Sequence, residues 1–404
     1  MSSSGTSSLS RQSVFLLAAV SAVITANAYY VHPIIAMIGD DFGISEALVG
    51  IVPAANQFAL ALGILLLLPL GDRLSNRWLS VVLVSAQTIG LIIMALSESF
   101  WLFVFGSTLL GFFTITPYLL PAFASKRVSA TRLGIVTATL TTGVIAGVVL
   151  SRTGAGIVAE YLGWRTIYWI ATILMIGSVA ALAFIVDDEV EARDPGDQLS
   201  YLQLIGSMIG LIQRHPRVLL SGVIQGLSFG GFLAVWMGIG LHVPNELGYG
   251  VAFVSYLSLF SAINLFFTPF FGQLADRIGA LKTRLLAASI RFGGVLLFPF
   301  AGGSYWLLLI PIFFTSIAGP SIDVTGRMTV LDQSPDIRTR LMTVYIVMMF
   351  LGGAFGSWGG TIAYAAGGWW GTCLMGAGLA GIVVGLSLIG LRLGPGAAKK
   401  DISA

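Results

Sequence analysis

In the stretch GVVLSRTGAG, residues 147–156, Arg152 is the one formally charged residue between Leu133 and Ala159. A guanidinium keeps its charge at working pH and presents five N–H donors in a planar fork that matches a carboxylate or phosphate. It suits gripping an anionic group of a ligand or a gating carboxylate, and it does not suit shuttling protons. Two plainer roles stay open from sequence alone: hydrogen bonding to carbonyls of a neighbouring helix, and snorkelling to a membrane surface. Proton carriage would fall to His32 in TANAYYVHP (25–33), with Tyr29 three residues earlier on the same face. A solvated imidazole titrates near neutrality. The same segment also reads as an interfacial aromatic belt. Asp323 in AGPSIDVTGRM is the clearest acid within an apolar run, and Arg327 follows one helical turn later. That spacing fits a structural or gate pair, with proton coupling as the sharper alternative. Asn27, Tyr30, Asn56, Gln57, Gln225, Trp236 and Asn264 are further polar or aromatic groups that could line a cavity, and the amides are equally able to bridge two helices.

The scaffold for such residues is legible in composition. Of 404 residues, 56% are hydrophobic and 10% charged, and the mean hydropathy is +0.92. Soluble domains carry about 25% charged residues, so a water-facing shell for a chain of this length cannot be assembled here. The 50 glycines favour close helix packing in a membrane. A polytopic all-α membrane protein is expected. One cysteine, Cys373, excludes an internal disulfide and a CxxC metal site, and histidines at 32, 215 and 242 are too dispersed for a metal cluster. No cofactor and no nucleic-acid partner is implied. The sequence holds neither HExxH nor GxxxxGK[ST], which argues against an intramembrane metalloprotease and against ATP-driven pumping.

Apolar stretches long enough to cross a bilayer, about 20 residues, fall at 14–38, 47–70, 78–97, 100–124, 133–159 and 164–186. Six more fall at 217–243, 251–274, 283–302, 305–328, 341–365 and 370–393. The chain divides into a tail (1–13), a six-helix unit (14–186), a linker (187–216), a second six-helix unit (217–393) and a tail (394–404). With both tails on one side, 18 of the 21 Lys and Arg fall on that side, Arg165 alone falls opposite, and Arg152 and Arg291 lie within spans. The positive-inside rule makes the basic side cytoplasmic, with both termini there. Arg291 reads as lying near the inner interface. Arg152 stands about 28 Å up its helix from Leu133 at 1.5 Å per residue, in the outer half. The linker carries six acids before Ser200 and then turns amphipathic at Leu202, Ile205, Met208, Ile209 and Ile212, the pattern of a helix on the membrane surface.

The two units repeat. Trp164 and Trp369 lie 205 residues apart, as do Gly147 and Gly352, while Asp72 and Asp276 lie 204 apart. Span 5 carries Gly143, Gly147, Ser151, Ala155 and Ala159, and span 11 carries Gly352, Gly356 and Gly360. Small residues at every fourth position let another backbone approach. The stretch GQLADRIGALK (272–282) resembles the signature loop of the major facilitator superfamily, G-x-L-A-D-R-x-G-x-x-K/R. Gly272, Leu274, Ala275, Asp276, Arg277, Gly279 and Lys282 fill it. The first-half copy, LPLGDRLSNRW (68–78), keeps Asp72, Arg73 and Arg77 but has Leu68 and Ser75 where glycines are usual. The resemblance covers about 14–393. A fifth-span motif of that family's antiporters would read here Gly147, Ser151, Arg152, Ala155, Gly156, with arginine where proline is usual, so the antiporter label carries over weakly.

The resemblance implies twelve helices in two pseudo-symmetric six-helix bundles that rock about a midplane substrate site. It implies a charge lock on the cytoplasmic face from Asp72, Arg73 and Arg77 with Asp276, Arg277 and Lys282, and Arg327 joins these as a gating residue. The protein is then a secondary transporter of a bacterial inner membrane, acting as a monomer on a small molecule with protons or a counter-ion. The first expectation is proton-coupled export of an amphipathic drug or metabolite, with His32 or Asp323 carrying the proton. The alternative is an organic-anion carrier or exchanger with Arg152 as the clamp. Substrate contacts are expected from Arg152, Tyr29, Tyr30, His32, Asn27, Asn56, Gln225, Trp236 and Asn264.

Overall fold

The computed structural model describes residues 9–125, 127–186 and 201–393, so Lys126, both outer tails and most of the acidic linker lie outside the described residues. The side chains of Asp72, Leu202, Ile209 and Ile212 lie outside them too. Among the described residues the apolar helices fall into twelve consecutive spans. Span 1 comprises the helices Arg11–Ala26 and Ile35–Phe42. Spans 2 to 6 are Glu46–Gly71, Asn76–Leu96, Phe100–Ser125, Ala130–Leu162 and Trp164–Ile185. A linker helix, Tyr201–Arg214, precedes spans 7 to 10 at Pro216–Asn245, Val251–Ile278, Ala280–Ala301 and Leu309–Leu331. Spans 11 and 12 share the run Pro335–Arg392, kinked at Gly367 and Gly368.

Two breaks follow from local chemistry. Pro33 has no N–H to donate and its ring crowds the carbonyl four residues back. Accordingly the chain between Ala26 and Ile35 runs in tight turns, with Tyr29 N–H on Ala26 O at 3.0 Å and His32 N–H on Tyr29 O at 3.3 Å. Span 1 is therefore not the unbroken helix 14–38 that hydropathy alone predicts. At the other break, Gly163 (φ 81°) and Gly368 (φ 55°) take left-handed backbone that a side chain disfavours. Each is followed by the tryptophan that opens the last span of its half, Trp164 and Trp369.

The small-residue stripes are seams. A Cβ at Gly143 would strike the backbone of Ala18, and one at Gly147 that of Ala22, so span 5 lies directly on span 1. The second half repeats this: Gly352 faces Gly226, Gly356 faces Gly230 and Gly360 faces Ala234, seating span 11 on span 7. Hydrocarbon gives helices no hydrophobic drive to associate, so this backbone-level contact is what binds them.

Loops after even-numbered spans share one face, here the basic face. The halves meet at both faces: toward the basic face Leu60, Ile64 and Leu119 share a packed core with Val330, Leu341 and Tyr345, and further contacts lie toward the opposite face. Ile35–Phe42 packs on span 7, Glu46–Val49 and Ile51–Leu67 pack on span 11, and Val251–Phe260 packs on span 5. The basic-face part of span 8, Asn264–Ile278, packs instead on spans 9 and 10. Glu160, at the end of span 5, accepts from Ala252 N–H at 3.5 Å, a carboxylate at the N-terminus of the Val251–Phe260 helix. Asn245 donates to Glu46 at 2.8 Å across the same face. The linker helix rests on protein: Met208 is buried, Arg340 donates to Ser207 Oγ at 3.2 Å, and Tyr201 donates to Leu66 O beneath Arg73.

Candidate functional site

Span 5 brings Arg152 to the junction of the halves, where it is 3% exposed. Snorkelling is thereby set aside. Its Nη2 lies 2.8 Å from His32 Nδ1. Because guanidinium nitrogens only donate, Nδ1 is the acceptor and the imidazole proton sits on Nε2. Turns before Pro33 set Tyr29 and His32 edge to face, with ring centroids 5.3 Å apart. The guanidinium carbon stands 5.4 Å from the Tyr29 ring, 4.9 Å from Phe232 and 5.1 Å from Trp236, the last two from span 7. Ser255 of span 8 closes the cage by donating to Arg152 O at 2.6 Å while accepting from Gly156 N–H at 3.1 Å. Three elements from two halves thus hold one cation.

The electrostatics are lopsided. Among the described residues no carboxylate pairs with Arg152. Its Nε–H and His32 Nε2 are buried and have no hydrogen-bond partner among the described residues. Cation–π contacts offset part of the desolvation, at about 0.5–2 kcal/mol per ring. Leaving a buried donor unmade costs about 1–3 kcal/mol, more when the group is charged.

The remaining expected residues divide. Arg152, Tyr29, His32 and Trp236 converge. Tyr30 turns away into the first-half core, edge-on to Tyr168 at 6.4 Å. Asn56 donates to Ser107 O at 2.8 Å, joining spans 2 and 4. Asn27, Gln57 and Gln225 are buried with side-chain atoms that no described residue satisfies, though no contact ties them to Arg152. Asn264 begins the basic-face part of span 8, away from the cage. Asp323 accepts from Arg327 Nε at 2.9 Å and from the Tyr345 hydroxyl at 3.0 Å, a separate cluster between spans 10 and 11. Asp276, Arg277, Gly279 and Lys282 are exposed, Gly272 and Arg73 partly so, and Arg77 is exposed. No ion pair joins Asp276, Arg277 or Lys282 among the described residues. Asp72's side chain lies outside the described residues. Arg291 is not near an interface: it is buried against span 7, donating to Ser228. Sequence reasoning missed Phe232 and Ser255. The available hint for Phe232 was its place one turn before Trp236; Ser255 carried no hint.

Comparison with known proteins agrees with this architecture. A Major Facilitator Superfamily sequence profile matches residues 16–304 and 223–403. The putative uncharacterized transporter YgaY of Escherichia coli (strain K12) is 28% identical over 373 residues, 92% of this chain and 94% of its own length. The multidrug resistance protein MdtG of Escherichia fergusonii is 23% identical, over 68% of this chain and 67% of its own. Among solved structures, a point mutant of the nucleoside transporter NupG superposes with a TM-score of 0.77 at 14% identity, covering 94% of this chain and 99% of that one. A bacterial homologue of the lysosomal transporter Spinster, inward-facing and unoccupied, gives 0.73 at 12%, covering 94% and 96%. With a family match running from residue 16 to residue 403 and twelve spans in two repeated bundles, the chain belongs to the Major Facilitator Superfamily and is a membrane transporter.

Proposed function

We propose that this transporter carries an organic anion, with Arg152 as the clamp for its carboxylate. The observation that carries the reading is the pair of buried, unpartnered nitrogens, Arg152 Nε and His32 Nε2, beside a guanidinium with no carboxylate of its own. A carboxylate accepts two such N–H bonds and cancels the charge, which makes charge-assisted hydrogen bonds about twice as strong as neutral ones. The Tyr29, Phe232 and Trp236 rings would pack the apolar remainder of the cargo.

The basic face is cytoplasmic in this reading, and the protein works as a monomer in a bacterial inner membrane. Its two halves alternate between closure at the face of Glu160 and Asn245 and closure at the basic face. Contact between spans 5 and 8 through Val251–Phe260 closes one face, and the core shared by Leu60, Ile64, Leu341 and Tyr345 closes span 2 on span 11 toward the other, so the buried cage fits an occluded state. The unengaged Asp276 and Arg277 fit a charge lock that forms in another state. Asp323, Arg327 and Tyr345 act as a gate.

Proton-coupled export of an amphipathic drug or metabolite is the second reading. It draws on the likeness to the multidrug resistance protein and on His32: a proton on Nδ1 would set two cations face to face and eject Arg152 from its contact. Proteoliposomes separate the two. Counterflow of a labelled aromatic carboxylate, accelerated by unlabelled carboxylate on the far side and lost in Arg152→Lys, is the expected result. Flux of a cationic dye driven by a pH gradient, undiminished in Arg152→Met, would overturn the anion reading.

A further inference from the structure

A second buried guanidinium lies behind the cage. Arg291 of span 9 is 7% exposed and directs Nη1 and Nη2 to the hydroxyl and carbonyl of Ser228. Among the described residues no carboxylate pairs with it. Two small cavities flank it, one of about 20 Å³ and one of about 10 Å³. The larger is walled by apolar groups, Phe232, Trp236, Ile239 and Phe298 among them, with Thr315 its one hydroxyl. Gly231 lines both cavities, and a Cβ there would stand 3.4 Å from Leu379 Cβ and 3.7 Å from Arg291 Nη2, at ordinary contact distance.

We infer that this cavity is a site for a small monovalent anion, chloride by size and charge. A water molecule needs a cavity of about 10–15 Å³ by this measure and two to four polar partners; the space suffices, and the Arg291 N–H groups with the Thr315 hydroxyl could hold one. Water would leave the charge uncancelled, however, and an unpaired ion of this burial is a standing penalty. A monatomic anion needs no second donor, accepts the remaining guanidinium N–H groups and tolerates apolar walls. A single chloride fits a space of this size. The site is distinct from the cargo clamp and stands whatever Arg152 carries.

Its position gives it a consequence for transport. Phe232 and Trp236 form one wall of the cavity, and their rings are the same two that stand 4.9 and 5.1 Å from Arg152. An occupied cavity fixes that wall; an empty one lets the rings relax into it and loosens the cage. Chloride therefore acts on the transporter from behind its substrate site.

The test uses purified full-length protein exchanged into gluconate and titrated with chloride or bromide at constant ionic strength. The unfolding midpoint is expected to rise and saturate with either halide, as for any ligand that binds the folded state. The rise should persist in Arg152→Met and vanish in Arg291→Met. Gly231→Ala, which places a methyl in the cavity, should raise the half-saturating concentration about ten-fold, one hydrogen bond's worth of affinity. Should Arg291→Met fail to fold, an anomalous bromide peak beside Arg291 in crystals of the unaltered protein decides the matter. A midpoint indifferent to halide, a halide response that survives Arg291→Met, or the absence of that peak in crystals grown at saturating bromide would overturn the site.

Discussion

Arg152→Met removes a charge while keeping an unbranched apolar side chain of related length, so it separates function from folding. In the intact protein the guanidinium has three rings at 4.9–5.4 Å and one hydrogen bond to a neutral imidazole. The rings supply about 0.5–2 kcal/mol each and the hydrogen bond about 1.5–3 kcal/mol. Opposing them is the desolvation of an ion with no counter-charge, several kcal/mol after relaxation. The two sides are of one size, so the variant should stay within about 2 kcal/mol of the parent in stability. Transport should not survive so lightly. Two charge-assisted hydrogen bonds to a cargo carboxylate are worth about 3–6 kcal/mol, so kcat/KM for anion flux should fall at least about 100-fold. Arg284→Met is the control. Arg284 is also buried, but it donates to Ser221 Oγ, Thr325 O and Thr329 Oγ1, each at 2.9 Å, and joins spans 7, 9 and 10. Its loss should lower the unfolding midpoint clearly. Thermal unfolding in detergent and flux in proteoliposomes are measured on the same preparations. If Arg152→Met destabilises as much as Arg284→Met and still transports, the guanidinium is structural glue and the clamp is wrong.

Other perturbations test the conformational argument. Glu160→Gln removes the carboxylate from the N-terminus of Val251–Phe260, an interaction of about 0.3–2 kcal/mol, and amide hydrogen exchange in that helix should quicken several-fold; unchanged exchange would show that the contact does not hold the halves. Gly147→Leu meets the backbone of Ala22, which cannot yield, whereas Gly154 has open space around it. Overpacking of this kind costs about 1–3 kcal/mol, so the first variant should lose stability and Gly154→Leu should not; equal midpoints would refute the seam. Asp323 and Arg327 keep 26% and 36% side-chain exposure, and a partly exposed pair contributes at most about 1 kcal/mol. Asp323→Asn should therefore spare the midpoint while slowing flux, and normal flux would remove that pair from the gate.

Span number and the repeat were legible because a bilayer demands long apolar runs and because the duplication kept its tryptophans and glycines in register. Arg152 was legible because charge is rare in such runs. Direction was not. Hydropathy reports that Arg291 sits in a span but not that it points to Ser228, and it smooths over Pro33, whose break in span 1 presents Tyr29 and His32 to Arg152. Phe232 is one of 25 phenylalanines, marked only by its place one turn before Trp236; its role comes from the docking of span 7 against a span some 80 residues away in sequence. A reading that ranks residues by polarity also overweights Asn56, whose amide merely ties two helices of one half together.

The duplication itself separates what the fold needs from what it carries. Spans 3 and 9 begin at Asn76 and Ala280 with the same 204-residue offset as the signature aspartates, which sets Ser80 opposite Arg284 and Gln87 opposite Arg291. Spans 5 and 11 share the 205-residue offset, which sets Ser357 opposite Arg152. All three counterparts are neutral and fully or almost fully buried. Gln87 even reproduces an interhelical bond, donating to Phe113 O at 2.9 Å. One half therefore builds each of these positions without a cation, in the same architecture and against the same kind of neighbour. A guanidinium placed where a serine or glutamine suffices adds a desolvation penalty that packing does not require. For Arg284 the surrounding hydroxyls and carbonyl absorb that penalty. Arg291 finds the hydroxyl and carbonyl of a single residue, Ser228, and Arg152 a neutral imidazole and three rings, so these two positions are where the proposed anion sites are sought.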